Sequence, residues 1–136
     1  MKKTKLFLVE DHELVRKGVR SIIDLDQSID IIGEYDRASK AIEAIDQGNV
    51  PDIILMDISM PEMNGLEATH AIRDLENEPN WKVPIIGVTA HALKGDRERC
   101  LEAGMNDYLS KPVSPDALQE KVQYWLEERG NLKLRN

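Results

Sequence analysis

The chain has 136 residues, with 18 basic side chains against 25 acidic ones (net −7), 41% apolar and 32% charged residues; a single globular domain able to bury roughly two thirds of its unfolded surface is expected. The acidic balance argues against a general nucleic-acid binder, which needs a basic face to replace phosphate counterions, and the lone Cys100 excludes an internally stapled secreted scaffold and favours a reducing compartment. The basic start Met1-Lys2-Lys3-Thr4-Lys5 leads only into Leu6-Phe7-Leu8-Val9 before Glu10-Asp11, too short for a signal peptide, and no segment nears the ~18 apolar residues of a membrane span, so a cytoplasmic protein without a membrane segment is expected.

Short apolar runs alternate with helix-period stretches along the whole chain. Lys5-Leu6-Phe7-Leu8-Val9 is the first strand, followed by a helical stripe of Leu14, Val15, Val19, Ile22 and Ile23. Ile29-Asp30-Ile31-Ile32-Gly33 is less purely apolar and is read as an edge strand; Ala38, Ala41, Ile42 and Ile45 make the next stripe. Ile53-Ile54-Leu55-Met56 and Pro84-Ile85-Ile86-Gly87-Val88 are almost wholly apolar, as strands covered on both faces of a parallel sheet should be. Leu66, Thr69, Ile72 and Leu75 separate these two runs, and Leu93, Cys100, Leu101 and Gly104 sketch a weaker fourth helix. Asp107-Tyr108-Leu109-Ser110 is the weakest strand, and Leu118, Val122, Trp125 and Leu126 a strong last helix. Ser114 and Pro115 suit the N-cap and first position of that helix, and Gly130 its end. The pattern predicts an α/β doubly wound (βα)5 domain over residues 1–129, flavodoxin-like, with a parallel sheet in order 2-1-3-4-5 and a short polar tail over 130–136.

In open α/β sheets the ligand crevice lies beyond the carboxyl ends of the strands. The first strand delivers Glu10 and Asp11 there, the third Asp57, the fourth Thr89 and the fifth Lys111. One acidic residue after a strand is ordinarily a solvated loop residue or helix cap; four strands supplying groups suited to one reaction are harder to assign to chance. Three carboxylates against one ammonium repel one another unless a cation joins them, and hard oxygen donors suit Mg²⁺. A carboxylate can then attack phosphorus to form an acyl phosphate, with Lys111 as a point charge on one phosphoryl oxygen and Thr89 donating to another.

Val9-Glu10-Asp11-His12, Leu55-Met56-Asp57-Ile58-Ser59-Met60-Pro61-Glu62-Met63-Asn64-Gly65, Val88-Thr89-Ala90 and Leu109-Ser110-Lys111-Pro112 resemble the signature blocks of bacterial response-regulator receiver domains, from about Lys5 to Glu128. The resemblance implies that Asp57 is the phosphoacceptor, fed from a phosphohistidine on a histidine kinase or histidine phosphotransferase. It makes Glu10 and Asp11 the acidic pair that holds Mg²⁺ (or Mn²⁺) together with Asp57, and the backbone carbonyl of Ser59 a further ligand. Thr89 becomes the switch hydroxyl, Tyr108 the switch aromatic and Lys111 the family's lysine, with a cis Lys111-Pro112 bond. Ser59 and His91 stand where the family tunes dephosphorylation. Glu10 replaces an aspartate common in the family and remains an oxygen ligand.

The implied function is a phosphoacceptor signalling module that catalyses its own aspartyl phosphorylation and dephosphorylation, with no independent substrate turnover. Its output would pass to a protein target through the face of the fourth helix, fifth strand and fifth helix, without direct contact to nucleic acid or membrane. With no effector in 136 residues, a stand-alone receiver is expected; the alternative is a receiver excised from a larger hybrid kinase or DNA-binding regulator. A haloacid-dehalogenase-like phosphatase would carry its nucleophile after the first strand with a second Asp two residues on, where this chain has Ser59 after Asp57. A flavodoxin-like electron carrier would need a Ser/Thr/Gly loop after the first strand, where Glu10-Asp11-His12-Glu13 stands.

Blander readings hold for the remaining residues. His12, His70 and His91 lack metal-ligand spacing, Cys100 is expected to be an inert buried thiol, and Lys94 to Arg99 a solvated helix face. Met60 and Met63 are expected to pack beside Asp57. Leu14 and Val15, next to the crevice, are candidates for docking a donor helix if exposed; the alternative is that both are core residues, and Val15 is expected to be one.

Overall fold

The structure, a computed structural model, describes residues 3–75, 83–90 and 95–134, the last six as helix backbone alone. Five strands, β1 (Thr4–Val9), β2 (Ile29–Tyr35), β3 (Ile53–Asp57), β4 (Ile85–Thr89) and β5 (Asp107–Ser110), alternate with α1 (Glu13–Ile23), α2 (Ala38–Asp46), α3 (Gly65–Leu75), α4 (Asp96–Ala103) and α5 (Pro115–Leu134). Every strand pair is parallel and the order is β2-β1-β3-β4-β5, so the flavodoxin-like arrangement expected from the alternation is the observed one, and β2 lies at an edge.

The period-two alternation of each central strand divides the core into two layers. Phe7, Val9, Ile54, Met56 and Ile85 face α2, α3 and α4, where Ala38, Ala41, Ala68, Ile72 and Cys100 meet them. Leu6, Leu8, Ile53, Leu55, Ile86 and Val88 face α1 and α5, against Val19, Ile23, Leu118 and Val122. All residues of β3 and β4 are buried, which is why these runs are apolar without alternation. Small alanines on α2 let that helix lie close to the sheet, and Phe7 meets Tyr35 edge to face, with ring centroids 5.1 Å apart.

An arginine ties the lower end of this half together. Arg73, near the end of α3, donates to the carbonyl of Gly104 just beyond α4 (2.9 Å), to that of Val83 before β4 (2.8 Å) and to Asn106 Oδ1 before β5 (2.9 Å). Asn106 Oδ1 also accepts from the Ile85 amide at 2.9 Å. Gly104, at φ +103°, closes α4 in the left-handed conformation that glycine takes without strain.

Three local expectations differ from the structure. Leu14, placed on the apolar stripe of the first helix, is 74% exposed, and Leu101 of the fourth is 45% exposed, because each lies at the margin of its stripe. The last helix does not stop at Gly130: α5 continues to Leu134. A mid-helix glycine costs only about 1 kcal/mol relative to alanine, and no proline or turn sequence follows to stop the helix. The helix residue Leu93 and the tuning position His91 lie outside the described residues.

Candidate phosphoryl-transfer site

The carboxyl ends of β1, β3, β4 and β5 meet around one crevice. β1 and β3 are neighbours in register, Val9 opposite Met56, so the residues following them, Glu10 and Asp57, emerge side by side. Both are 3% exposed. Glu10, Asp11 and Asp57 each bring a carboxylate oxygen within 4.8 Å of the others, the only such group of metal-ligand type among the described residues. Lys111, just past β5, reaches across with Nζ 2.9 Å from Glu10 Oε1 and 3.1 Å from Asp57 Oδ1. The Lys111-Pro112 bond is cis, as expected.

Three carboxylates and one ammonium leave two net negative charges in a largely dry site. Burial, together with the neighbouring Glu10 charge, pushes the Asp57 carboxyl up from the usual 3.8 to about 7, even with Lys111 drawing it down. Burial alone would lower Lys111, but its hydrogen bonds to Glu10 and Asp57 outweigh that and raise it. The set fits a small hard cation: oxygen donors only, too few to enclose the ion, and an excess of negative charge.

Backbone geometry holds the carboxylates in place. The His12 amide donates to Glu10 Oε2 at 3.1 Å and the Ser59 amide to Asp57 Oδ1 at 3.4 Å, while Arg16 of α1 donates to the Glu10 carbonyl at 2.8 Å. His12 is not a ligand but the N-cap of α1, its Nδ1 accepting from the Val15 amide. After Asp57 the chain turns into α3 through a reciprocal cap: Asn64 Oδ1 accepts from the Glu67 amide (2.9 Å) and Glu67 Oε1 from the Asn64 amide (3.1 Å). Gly65 lets that helix start directly behind the site, since a Cβ there would stand 2.5 Å from the Asp57 carbonyl oxygen. Met60 is buried and Met63 packs against the core, as expected.

Thr89, at the end of β4, is 5% exposed, and Tyr108 is half-buried against the layer shared with α4. The sequence reading missed Asp96. It lies in a stretch read as solvated, yet its side chain is only 14% exposed, and its Oδ2 stands 3.5 Å from the Thr89 hydroxyl.

The sequence model of the response regulator receiver domain matches residues 6–123. The chain belongs to that family. The receiver is 38% identical over 123 residues to the polar-differentiation response regulator DivK of Brucella abortus, covering 89% of this chain and 94% of DivK. It is 39% identical over 122 residues to a hybrid signal transduction histidine kinase of Dictyostelium discoideum, but there it covers 87% of this chain and spans only 7% of the relative's length. Among solved structures it resembles the receiver domain of the Pseudomonas aeruginosa sensor histidine kinase PA1611, which has a magnesium ion coordinated in its active-site cleft (36% identity, TM-score 0.79, 92% and 98% of the two chains covered). It also resembles the receiver of Saccharomyces cerevisiae Ssk1 in complex with the histidine phosphotransfer protein Ypd1 (28% identity, TM-score 0.78, 91% and 89% covered). This is a receiver of the two-component and phosphorelay type, and no helix among its described residues is long and apolar enough to cross a membrane.

Proposed function

We propose that Asp57 is the phosphoacceptor of this receiver, taking a phosphoryl group from a phosphohistidine on a histidine kinase or phosphotransferase in the cytoplasm. The observation that carries the reading is a carboxylate 3% exposed at the end of β3, within reach of two more carboxylates and 3.1 Å from an ammonium. An Asp57 oxygen attacks phosphorus, the P–N bond to the donor imidazole breaks, and the imidazole nitrogen keeps the electron pair. Glu10, Asp11, Asp57 and the backbone carbonyl of Ser59 would hold Mg²⁺, which supplies charge to the transferring phosphoryl oxygens and favours the ionised carboxylate. Mn²⁺, equally an oxygen-seeking cation, would fit the same donors. Lys111 neutralises a further oxygen. The same chemistry run with water removes the group, so the receiver limits its own signal, with Ser59 and His91 at positions that set the rate.

Phosphorylation then draws the Thr89 hydroxyl toward the phosphoryl group, Tyr108 follows, and the face of α4, β5 and α5 changes its preference for a protein target. That face carries exposed Leu101 and Tyr124 around a cleft of about 570 Å³ also lined by Arg97, Asp107, Lys121 and Trp125. Reversing a 1:99 equilibrium takes about 5.5 kcal/mol, within reach of several charge-assisted contacts to one phosphoryl group. The donor is expected to dock over α1, where Leu14 is exposed and Val15, Val19, Ile22, Pro112 and Val113 line an apolar cleft of about 410 Å³. The 39% identity to a hybrid kinase supports a second setting, in which the same receiver works as a segment of a larger protein.

The test is incubation with acetyl phosphate and Mg²⁺. Wild type is expected to take up acid-stable, base-labile phosphate, and both Asp57→Asn and metal chelation to abolish it. Uptake by Asp57→Asn at the wild-type level would refute the assignment.

A further inference from the structure

The environment of Thr89 contains a device that the phosphoacceptor reading does not require. The chain re-enters α4 through Gly95, whose φ of +111° is left-handed, and this turn brings the first helical residue, Asp96, back toward the end of β4. The two oxygens of Asp96 are divided between neighbours: Oδ1 lies 3.7 Å from Arg99 Nη1 and Oδ2 lies 3.5 Å from Thr89 Oγ1. Arg99 thus orients the carboxylate that faces the switch hydroxyl. A small cavity of about 160 Å³ adjoins them, lined by Ile58, Ser59, Leu66, Thr89, Asp96 and Cys100, and leaves room for the threonine to change position.

We propose that Asp96 is a latch on the switch: it holds the Thr89 hydroxyl away from the phosphorylation crevice and thereby sets how strongly phosphorylation is favoured. This rests on the reading of Asp57 as phosphoacceptor. A threonine hydroxyl has a single proton to donate, so donation to Asp96 and donation to a phosphoryl oxygen exclude each other. At 3.5 Å the Asp96 contact is long for a hydroxyl–carboxylate pair, and a phosphoryl group of charge near −2 outcompetes it. The latch is therefore one that yields, at a cost subtracted from the affinity of the active state. Asp96 is a positioning residue; it acts through Thr89.

The experiment is a titration of the Mg²⁺-loaded protein with beryllofluoride, a phosphoryl mimic, followed by backbone amide NMR shifts in β4 and β5. Asp96→Ala is expected to bind about three- to tenfold more tightly than wild type, the range that one intramolecular hydrogen bond supplies. Asp96→Asn, which keeps an acceptor oxygen and the helix start, is expected to stay within about twofold of wild type. In a Thr89→Val background the Asp96→Ala gain should vanish, a result that a general effect on α4 would not produce. An unchanged Asp96→Ala affinity, or the same gain without the Thr89 hydroxyl, would overturn the latch while leaving the Asp57 reading intact. Wild type that fails to bind beryllofluoride at all would overturn both.

Discussion

Removing the charge of Asp57 should make the metal-free receiver more stable, by an amount that grows as pH rises from about 4 and levels off above about 7. Folding raises this carboxyl from 3.8 to about 7, so between those values the folded chain binds more protons than the unfolded one. Unfolding free energy then falls as pH rises through that window, and the full loss is present above about pH 7. At ~1.4 kcal/mol for each pKa unit, a rise of about three sets a ceiling of ~4 kcal/mol. Asp57→Asn escapes that loss but weakens the 3.1 Å contact with Lys111, costing about 1 kcal/mol. The expected net gain is ~1–3 kcal/mol at pH 8, shrinking to nothing or turning slightly negative near pH 4.5. Urea unfolding followed by circular dichroism, in chelator, at both pH values measures it. Mg²⁺ at ten times its Kd should add ~1.4 kcal/mol to wild type and close most of the gap. Equal stability of the two proteins at pH 8, or a gap that does not change with pH, would refute the reasoning.

Lys111→Met leaves three carboxylates without their ammonium; Mg²⁺ affinity measured by calorimetry should rise about three- to tenfold even as beryllofluoride binding falls. Gly65→Ala drives a Cβ against the Asp57 carbonyl, so acetyl-phosphate labelling should drop more than tenfold, a loss disproportionate to any change in Tm. Arg73→Met strands the carbonyls of Val83 and Gly104 and should cost ~2–4 kcal/mol in urea unfolding. Cys100 is 1% exposed, with its thiol raised by burial and by Asp96; it should resist Ellman's reagent in the native protein and react on unfolding.

The frame of the fold is legible in the chain because its cause is short-range. Ile53-Ile54-Leu55-Met56 is apolar at every position only if both faces are covered, and the residue that follows is then delivered to the sheet's carboxyl edge; that reasoning located Asp57, Glu10 and Lys111 together. What stayed hidden depends on contacts that leave no period in the sequence. Arg73 has the spacing of any surface arginine, and nothing local announces that it serves three carbonyl or amide oxygens from distant segments. Asp96 stands in a run of charges, and nothing in that run marks it as the one that follows a left-handed glycine and meets Thr89. Gly130 and Leu14 failed differently: a glycine and a leucine each carry a preference of about 1–2 kcal/mol, which helix continuation or the edge of a stripe can override.

The arginine clasp also decides where the domain can give way. By holding the end of α3, the exit of α4 and the approaches to β4 and β5, Arg73 pins α4 at the end remote from the crevice, while its other end starts at a glycine beside Thr89. On the proposed latch, release of Asp96 by the threonine frees α4 most at its Asp96 end and least at Gly104, where the clasp holds it. The expected response of α4 to the switch is then a tilt about its Gly104 end, not a shift of the whole helix.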